Sequence, residues 1–294
     1  MNKAIVFLLV LLISCNSHKT LPPSTGGLFE VLFVVDDNIW EINLRERVYD
    51  IFAANLDGIN KAEQQYDIIQ VNYSELNDFL KRHNNIVLIT NEDNDRVGNK
   101  NMWAKPQLCF QIQYDEKENR NLHKIKKILD FNVLTRLRIQ ESKSSNHEIE
   151  EYLLNTFQTQ IVISKKYQIL KKDSSLFWAT FNPQDKEQIE HVLIFKSNKI
   201  LRDKQLLLEK TDSVFSKYLL GAKEGTYVKI EPLYTPFCSD DICRGIWRLQ
   251  NGFMGGPFLL KSYHIKSNTI IAVGLIFDPS SKKRDYVKKF EAIL

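Results

Sequence analysis

Pro257-Phe-Leu-Leu-Lys-Ser-Tyr-His-Ile265 and Thr269-Ile-Ile-Ala-Val-Gly-Leu-Ile-Phe277 decide the fold class. Both are rich in aromatic and β-branched residues and read as strands. Only Lys266-Ser267-Asn268 separates them, whereas a parallel return needs a crossover of a dozen or more residues. The pair is therefore an antiparallel hairpin. A helix follows, with Tyr286, Val287, Phe290 and Ile293 on one face. The four- and three-residue steps of Tyr286, Phe290 and Ile293 make one apolar stripe. That stripe is expected to pack on the 257–277 sheet, leaving Lys283, Lys288 and Lys289 around the exposed faces.

Working back from the hairpin, strands are expected at 245–250 and 226–234, after an amphipathic helix over 201–219 that ends at Gly221. Strands are also expected at 190–196, 176–181, 167–170 and 161–164, preceded by a helix over 149–157. Glu141-Ser-Lys-Ser-Ser-Asn146 is the internal stretch with linker composition, and it divides a half at 28–141 from a half at 147–294. In the first half, Leu28 to Val35 is a near-continuous apolar run, the mark of a strand covered on both faces. Asp36-Asp37-Asn38 offers N-cap side chains to a helix carrying Ile39, Trp40, Leu44, Val48, Ile51 and Phe52. Strands at 67–71, 85–90 and 107–114, a short helix from Ser74 through Leu80, a polar turn over 91–101 and a long helix over 122–139 complete the half. Several strand pairs are hairpins, so the fold class is α+β: mixed sheets with helices packed on them, in two halves. Each half opens strand–helix–strand and closes hairpin–strand–helix, an order that admits a divergent internal duplication.

Composition removes the unusual classes. The 294 residues are 43% hydrophobic and include 17 Phe and 11 Tyr, which is incompatible with intrinsic disorder. Forty basic against 36 acidic side chains give +4, too weak to argue for nucleic acid. Met1-Asn2-Lys3 followed by the apolar run Ala4 to Ile13 and Ser14-Cys15 reads as a secretory signal. The run is shorter than the roughly 20 residues that span a bilayer. Leu12-Ile13-Ser14-Cys15 resembles a bacterial lipobox, which implies a signal peptide at 1–14 and a lipidated Cys15. Residues 15–27 are polar and Pro/Gly-rich, hence a tether. There is no Asp beside Cys15 and no acidic cluster after it. Together these imply an anchor in the outer membrane facing the periplasm, in preference to the inner membrane or the cell surface.

Three cysteines remain. Cys109 lies in an apolar strand and reads as a small core residue. Cys238 and Cys243 read either as a local disulfide, in an exported setting where such bonds persist, or as two free thiols. The six His are scattered without paired ligand spacing, so neither a metal nor another cofactor is expected. Asp36-Asp37 could form a carboxylate pair at a strand end, but helix capping already explains them. Gly252-Phe-Met-Gly-Gly-Pro257 lacks the Lys-Ser/Thr of a phosphate loop and reads as a turn requiring positive φ. Trp40, Trp103, Trp178 and Trp247 are expected in the core. No residue is assigned a catalytic role. Lys282-Lys283-Arg284 with Lys288-Lys289 reads as a solvated basic helix face.

Three blocks carry a family likeness: Leu32-Phe-Val-Val-Asp-Asp37 with Trp40; Trp103-Ala-Lys-Pro-Gln-Leu108; and Gly245-Ile-Trp247 with Gly252–Phe258, Lys283–Tyr286 and Glu291–Leu294. Together they resemble Bacteroidota lipoproteins grouped as a domain of unknown function. The second half, from Phe157 through Ile161–Ser164, Tyr167–Leu170 and Leu176–Trp178, is similar to exported domains of the Mog1/PsbP type. That likeness implies an accessory or assembly role. The expectation is a non-catalytic binding or assembly module, joined to the membrane by its lipid and acting on an envelope protein partner. The alternative is an envelope hydrolase of peptidoglycan or glycan. A hydrolase requires Asp36, Asp37, Lys105, Arg244 or Arg284 to converge in a cleft; a module leaves them capped, paired or solvated beside exposed apolar surface.

Overall fold

A computed structural model describes residues 20–91, 96–117 and 119–294, with backbone only at Arg96 and Val97. Cys15 and the signal segment lie outside the described residues. The chain folds as two compact units. One takes the residues up to Arg47 and Ile68–Asn121; the other takes Val48–Asp67 and Leu122–Leu294. Each unit is therefore discontinuous in sequence.

The first unit is built on a five-stranded sheet. Its strands are β1 (Glu30–Val34), β2 (Asp67–Val71), β3 (Asn85–Thr90), β4 (Arg96–Lys100) and β5 (Leu108–Gln113), in the order β2-β1-β3-β5-β4. β1, β3 and β5 run parallel, while β4 is antiparallel to β5. Leu32, Val34, Ile86, Leu88 and Cys109 form one buried cluster of the sheet. β4 takes the place of the expected polar turn. The expected helix from Ser74 is instead two 3₁₀ turns, Tyr73–Glu75 and Leu80–Arg82. Asn77 stops propagation between them, because its side-chain oxygen accepts from the N–H groups of Phe79 and Leu80. After β1 a short turn and a π-helical turn, Trp40–Leu44, lead into α1 (Arg45–Phe52).

The tether ends sooner than its composition suggests. Pro23 and Thr25 form bridges to Lys105 and His83, and the Asn84 side chain bonds Ser24 and the Gly26 carbonyl. Backbone groups of a Pro/Gly-rich segment have found partners, so residues 22–27 belong to the folded unit.

The second unit centres on an antiparallel sheet of eight strands: β6 (Gln168–Lys172), β7 (Leu176–Phe181), β8 (Ile189–Ser197), β9 (Tyr227–Ile230), β10 (Phe237–Ser239), β11 (Ile242–Gln250), β12 (Gly255–Ile265) and β13 (Asn268–Phe277). The order is β10-β11-β12-β13-β8-β7-β6, with β9 also on β11. Its helices are α2 (Arg120–Ser142, from Leu122 onward), α3 (His147–Phe157), α4 (Lys204–Tyr218) and α5 (Lys283–Ile293). This antiparallel order shares nothing with the parallel core of the first unit, so the two halves are not topological copies.

Strand alternation explains the long apolar runs. Val192, Ile194, Ile270, Ala272 and Ile276 face one side with Leu153, Phe157, Val287 and Phe290 of α3 and α5. Leu193, Phe195, Ile271, Val273 and Leu275 face the other with Leu207, Val214 and Phe215 of α4. Both faces are covered, so both must be apolar. The α5 stripe packs as expected, with Phe290 and Ile293 fully buried. Ile161–Ile163 is not a strand; these residues are buried beside α5, where the Val162 N–H donates to the Ile293 carbonyl. α2 belongs mainly to this unit. Tyr66 bonds Asp130, and Arg138 donates to the carbonyls of Ala292 and Gln160.

Candidate functional site

In the first unit Asp36 and Asp37 are exposed and do not cap their own turn. Asp36 accepts from the Tyr73 N–H at 3.2 Å, and Asp37 accepts from Gln70 Nε2 at 3.0 Å and Asn72 Nδ2 at 3.1 Å. They fasten the segment that follows β2. Lys105 is exposed and joins the Pro22 carbonyl through its backbone N–H.

In the second unit Arg244 pairs with Glu291 at 3.0 Å, and Glu291 also takes Lys288 at 3.1 Å. Arg284, 4% exposed, reaches Asp67 at 3.2 Å and Asp285 at 3.0 Å. Burial raises the Asp67 pKa, but hydrogen bonds and charge from Arg284 and Lys282 outweigh it and hold the carboxyl below its ordinary value. The five polar candidates are thus paired or solvated within their own units. Among the described residues no three His, Cys, Asp or Glu side chains gather as a cation site.

The basic face of α5 is a correction. Lys289 is buried, and its ammonium bonds Glu190, which has no exposure at all. Glu190 also accepts from the Tyr167 hydroxyl, from Lys166 at 3.1 Å and from Gln188 at 2.7 Å. Burial raises the Glu190 pKa, yet the two lysines beside it bring it below the ordinary value. Four donors on one carboxylate satisfy it completely and make the group a structural tie. Strand alternation carries the signal: Glu190 precedes Val192 and Ile194 on the α5 face.

Cys238 and Cys243 are directly opposed across β10 and β11, with Cα atoms 4.1 Å apart, and form a disulfide. Cys109 is buried, and its surroundings push the thiol up to about 12. In the turn at 251–254 the positive φ falls on Asn251, not on a glycine. Gly256 is required for close approach: a Cβ there would lie 2.0 Å from the Ile276 carbonyl oxygen.

One opening breaks the α4 face. α4 ends at Tyr218 while the sheet continues, and the chain returns through Gly221–Gly225 into β9. The β11–β12 turn, Asn251–Met254, covers the opposite side. Between them lies a cavity of about 550 Å³, within the range of small-molecule sites. Trp178, Trp247, Leu219, Val228, Leu249 and Met254 supply its apolar wall.

His191 of β8 also lines the cavity and accepts from Trp178 Nε1 at 3.3 Å on its Nδ1. Burial lowers the imidazole to about 4, so near neutral pH it is uncharged and carries its proton on Nε2. Among the described residues no group bonds that Nε2–H. At the rim Leu220 is 69% and Phe253 94% exposed. Lys223, also on the rim, has no ion-pair partner among the described residues. The expectation that all four Trp are core residues holds for Trp40, which packs against Phe33. It holds as well for Trp247, which is buried and also lines the cavity, whereas Trp103 and Trp178 are half-buried, Trp178 lining the cavity too. Periodicity does not reveal the cavity, because it depends on where α4 stops.

Fold and site together define an α+β protein whose second unit is a helix-covered antiparallel sheet with an apolar cavity. The chain belongs to the family described as Domain of unknown function (DUF4837), which matches residues 146–294, just over half of it. A second family, Domain of unknown function (DUF8532), matches residues 24–145. No curated protein matches the chain. Among solved structures, human StAR-related lipid transfer protein 5 aligns at 8% identity and a TM-score of 0.24, over 54% of this chain and 97% of that one. The human StarD13 (DLC2) lipid transfer and protein localization domain aligns at 8% identity and a TM-score of 0.20, over 50% and 95%. Likenesses at these TM-scores carry no argument about fold or ligand.

Proposed function

We propose that this chain is a non-catalytic binding module of the Bacteroidota cell envelope. A lipid on Cys15 holds it in the outer membrane on the periplasmic side, and the second unit binds by admitting an apolar group into the α4-face cavity. The cavity is the observation that carries the reading. It combines a size suited to ligands with two Trp walls, few polar groups and an exposed Phe and Leu at its mouth. The hydrolase alternative receives no comparable support, since Asp36, Asp37, Arg244 and Arg284 are held in structural pairs and Lys105 is exposed.

Binding of the environment-sensitive dye N-phenyl-1-naphthylamine tests this reading. The full chain should enhance its fluorescence saturably, and Ala222→Trp at the rim should weaken that binding at least tenfold. Dye binding equal in both proteins would refute it. Cross-linking from the rim in native envelopes would then identify the component that the cavity meets.

A further inference from the structure

Resting on the binding-module reading, we propose that the cavity is a site for one long acyl chain, whose carbonyl oxygen accepts the Nε2–H of His191. Size leaves room for an extended occupant: about 550 Å³ is several times the ~150 Å³ cavity that holds a single benzene ring. One aromatic side chain of a partner would leave most of it empty. Leu219, Val228, Leu249 and Met254, with the two indoles, make most of the lining apolar, which suits a run of methylenes.

The polar groups specify where the chain ends. Trp178 donates to Nδ1 of His191, so this neutral ring presents one N–H and no acceptor. An unpartnered N–H in an apolar wall favours a ligand oxygen and disfavours a pure hydrocarbon. The Trp247 N–H is already used by the Ile276 carbonyl, at 3.2 Å, and does not compete. Lys223 also lines the opening, and the phosphate of an esterified chain would lie toward it. Leu220 and Phe253 flank it as exposed apolar residues of the kind that enter the boundary between headgroups and acyl chains. The shared chemistry is thus a carboxyl-derived oxygen at the end of a long chain: the ester carbonyl of an esterified chain, or one carboxylate oxygen of a free acid, accepts from His191.

The test uses the full chain carrying Cys15→Ser, so that no acyl group is attached to the protein itself. Delipidated protein is titrated with cis-parinaric acid, a fluorescent long-chain fatty acid, and competed with palmitic acid or 1-palmitoyl-lysophosphatidylethanolamine. Saturable binding and competition by at least one of the two are expected, and the stronger competitor distinguishes free acid from esterified chain. Leu249→Trp should weaken binding at least tenfold; if its thermal midpoint falls, Ala222→Trp at the exposed rim replaces it. His191→Phe, which keeps the wall and removes the donor, should weaken binding roughly fivefold, the worth of one hydrogen bond.

Absence of parinaric acid binding, or binding unchanged by the cavity-filling variant that keeps its fold, overturns the acyl assignment. If N-phenyl-1-naphthylamine still binds while neither palmitoyl compound displaces parinaric acid, the acyl assignment falls and the binding-module reading stands. If neither probe binds, both fall.

Discussion

Lys289 shows how far one side chain's surroundings outweigh its type. Its ammonium meets a carboxylate with no solvent exposure and lies 5.0 and 5.1 Å from the ring centroids of Tyr286 and Phe290. Removing one member of a buried pair leaves the other charge without compensation, which typically costs 3–5 kcal/mol. Lys166 still contacts Glu190, so Lys289→Ala should cost about 3 kcal/mol. Lys288→Ala, at a side chain that is mostly buried rather than on the expected exposed face, should cost less, about 1 kcal/mol, because Arg244 continues to pair Glu291. Urea unfolding of the three proteins checks this, and equal losses at both lysines would refute it. His191 makes a pH-dependent prediction. Its folded pKa, about 4, lies below the ordinary 6.5, so the unfolded chain binds more protons between those values. Its stabilising contribution is therefore complete above pH 6.5 and is lost as pH falls toward 4. His191→Phe should flatten the decline of the thermal midpoint across that window. An unchanged slope would show that other groups cause the decline.

At the scale of elements, α5 was legible because its stripe sits at helical spacing, and its packing partner was legible because three residues cannot make a crossover. The burial of Lys289 was not legible, since it depends on Glu190, far away in sequence and on the matching face of β8. Likewise Asn77 stopped a helix through two side-chain bonds that composition does not announce. The contact between α5 and β13 can be tested by coupling. A Cβ on Gly274 would lie 2.3 Å from the Phe290 ring, so the ring rests on bare backbone. Phe290→Ala should cost about 3–5 kcal/mol. Gly274→Ala should also destabilise, by forcing the ring outward. In the double variant the added methyl group enters space left by the ring, so the combined loss should be smaller than the sum by at least about 1 kcal/mol. Additive losses in a double-mutant cycle would mean that the helix and strand do not share this contact.

For the whole molecule, both faces of the β13–β8 region are apolar because helices cover each side, and that pattern made the α+β class readable. The discontinuous units were not readable, because residues 48–67 and most of α2 join the second unit through side chains such as Tyr66, Asp130 and Arg138. The cavity was hidden for a related reason: it is the part of the sheet that α4 does not reach. The proposed location in the envelope depends on Cys15, which lies outside the described residues. At about 0.8 kcal/mol per buried methylene, one acyl chain binds a bilayer only reversibly, whereas several hold a protein there durably. If Cys15 carries the diacylglyceryl group and an acylated amine, the membrane association of the whole chain depends on one sulfur atom. Cys15→Ser should abolish incorporation of labelled palmitate. The binding of N-phenyl-1-naphthylamine should remain, because the residues that line the cavity all belong to the second unit. Palmitate still entering the variant would place the lipid elsewhere or remove it from the account. Loss of dye binding together with palmitate would show that the bound apolar group depends on the anchor.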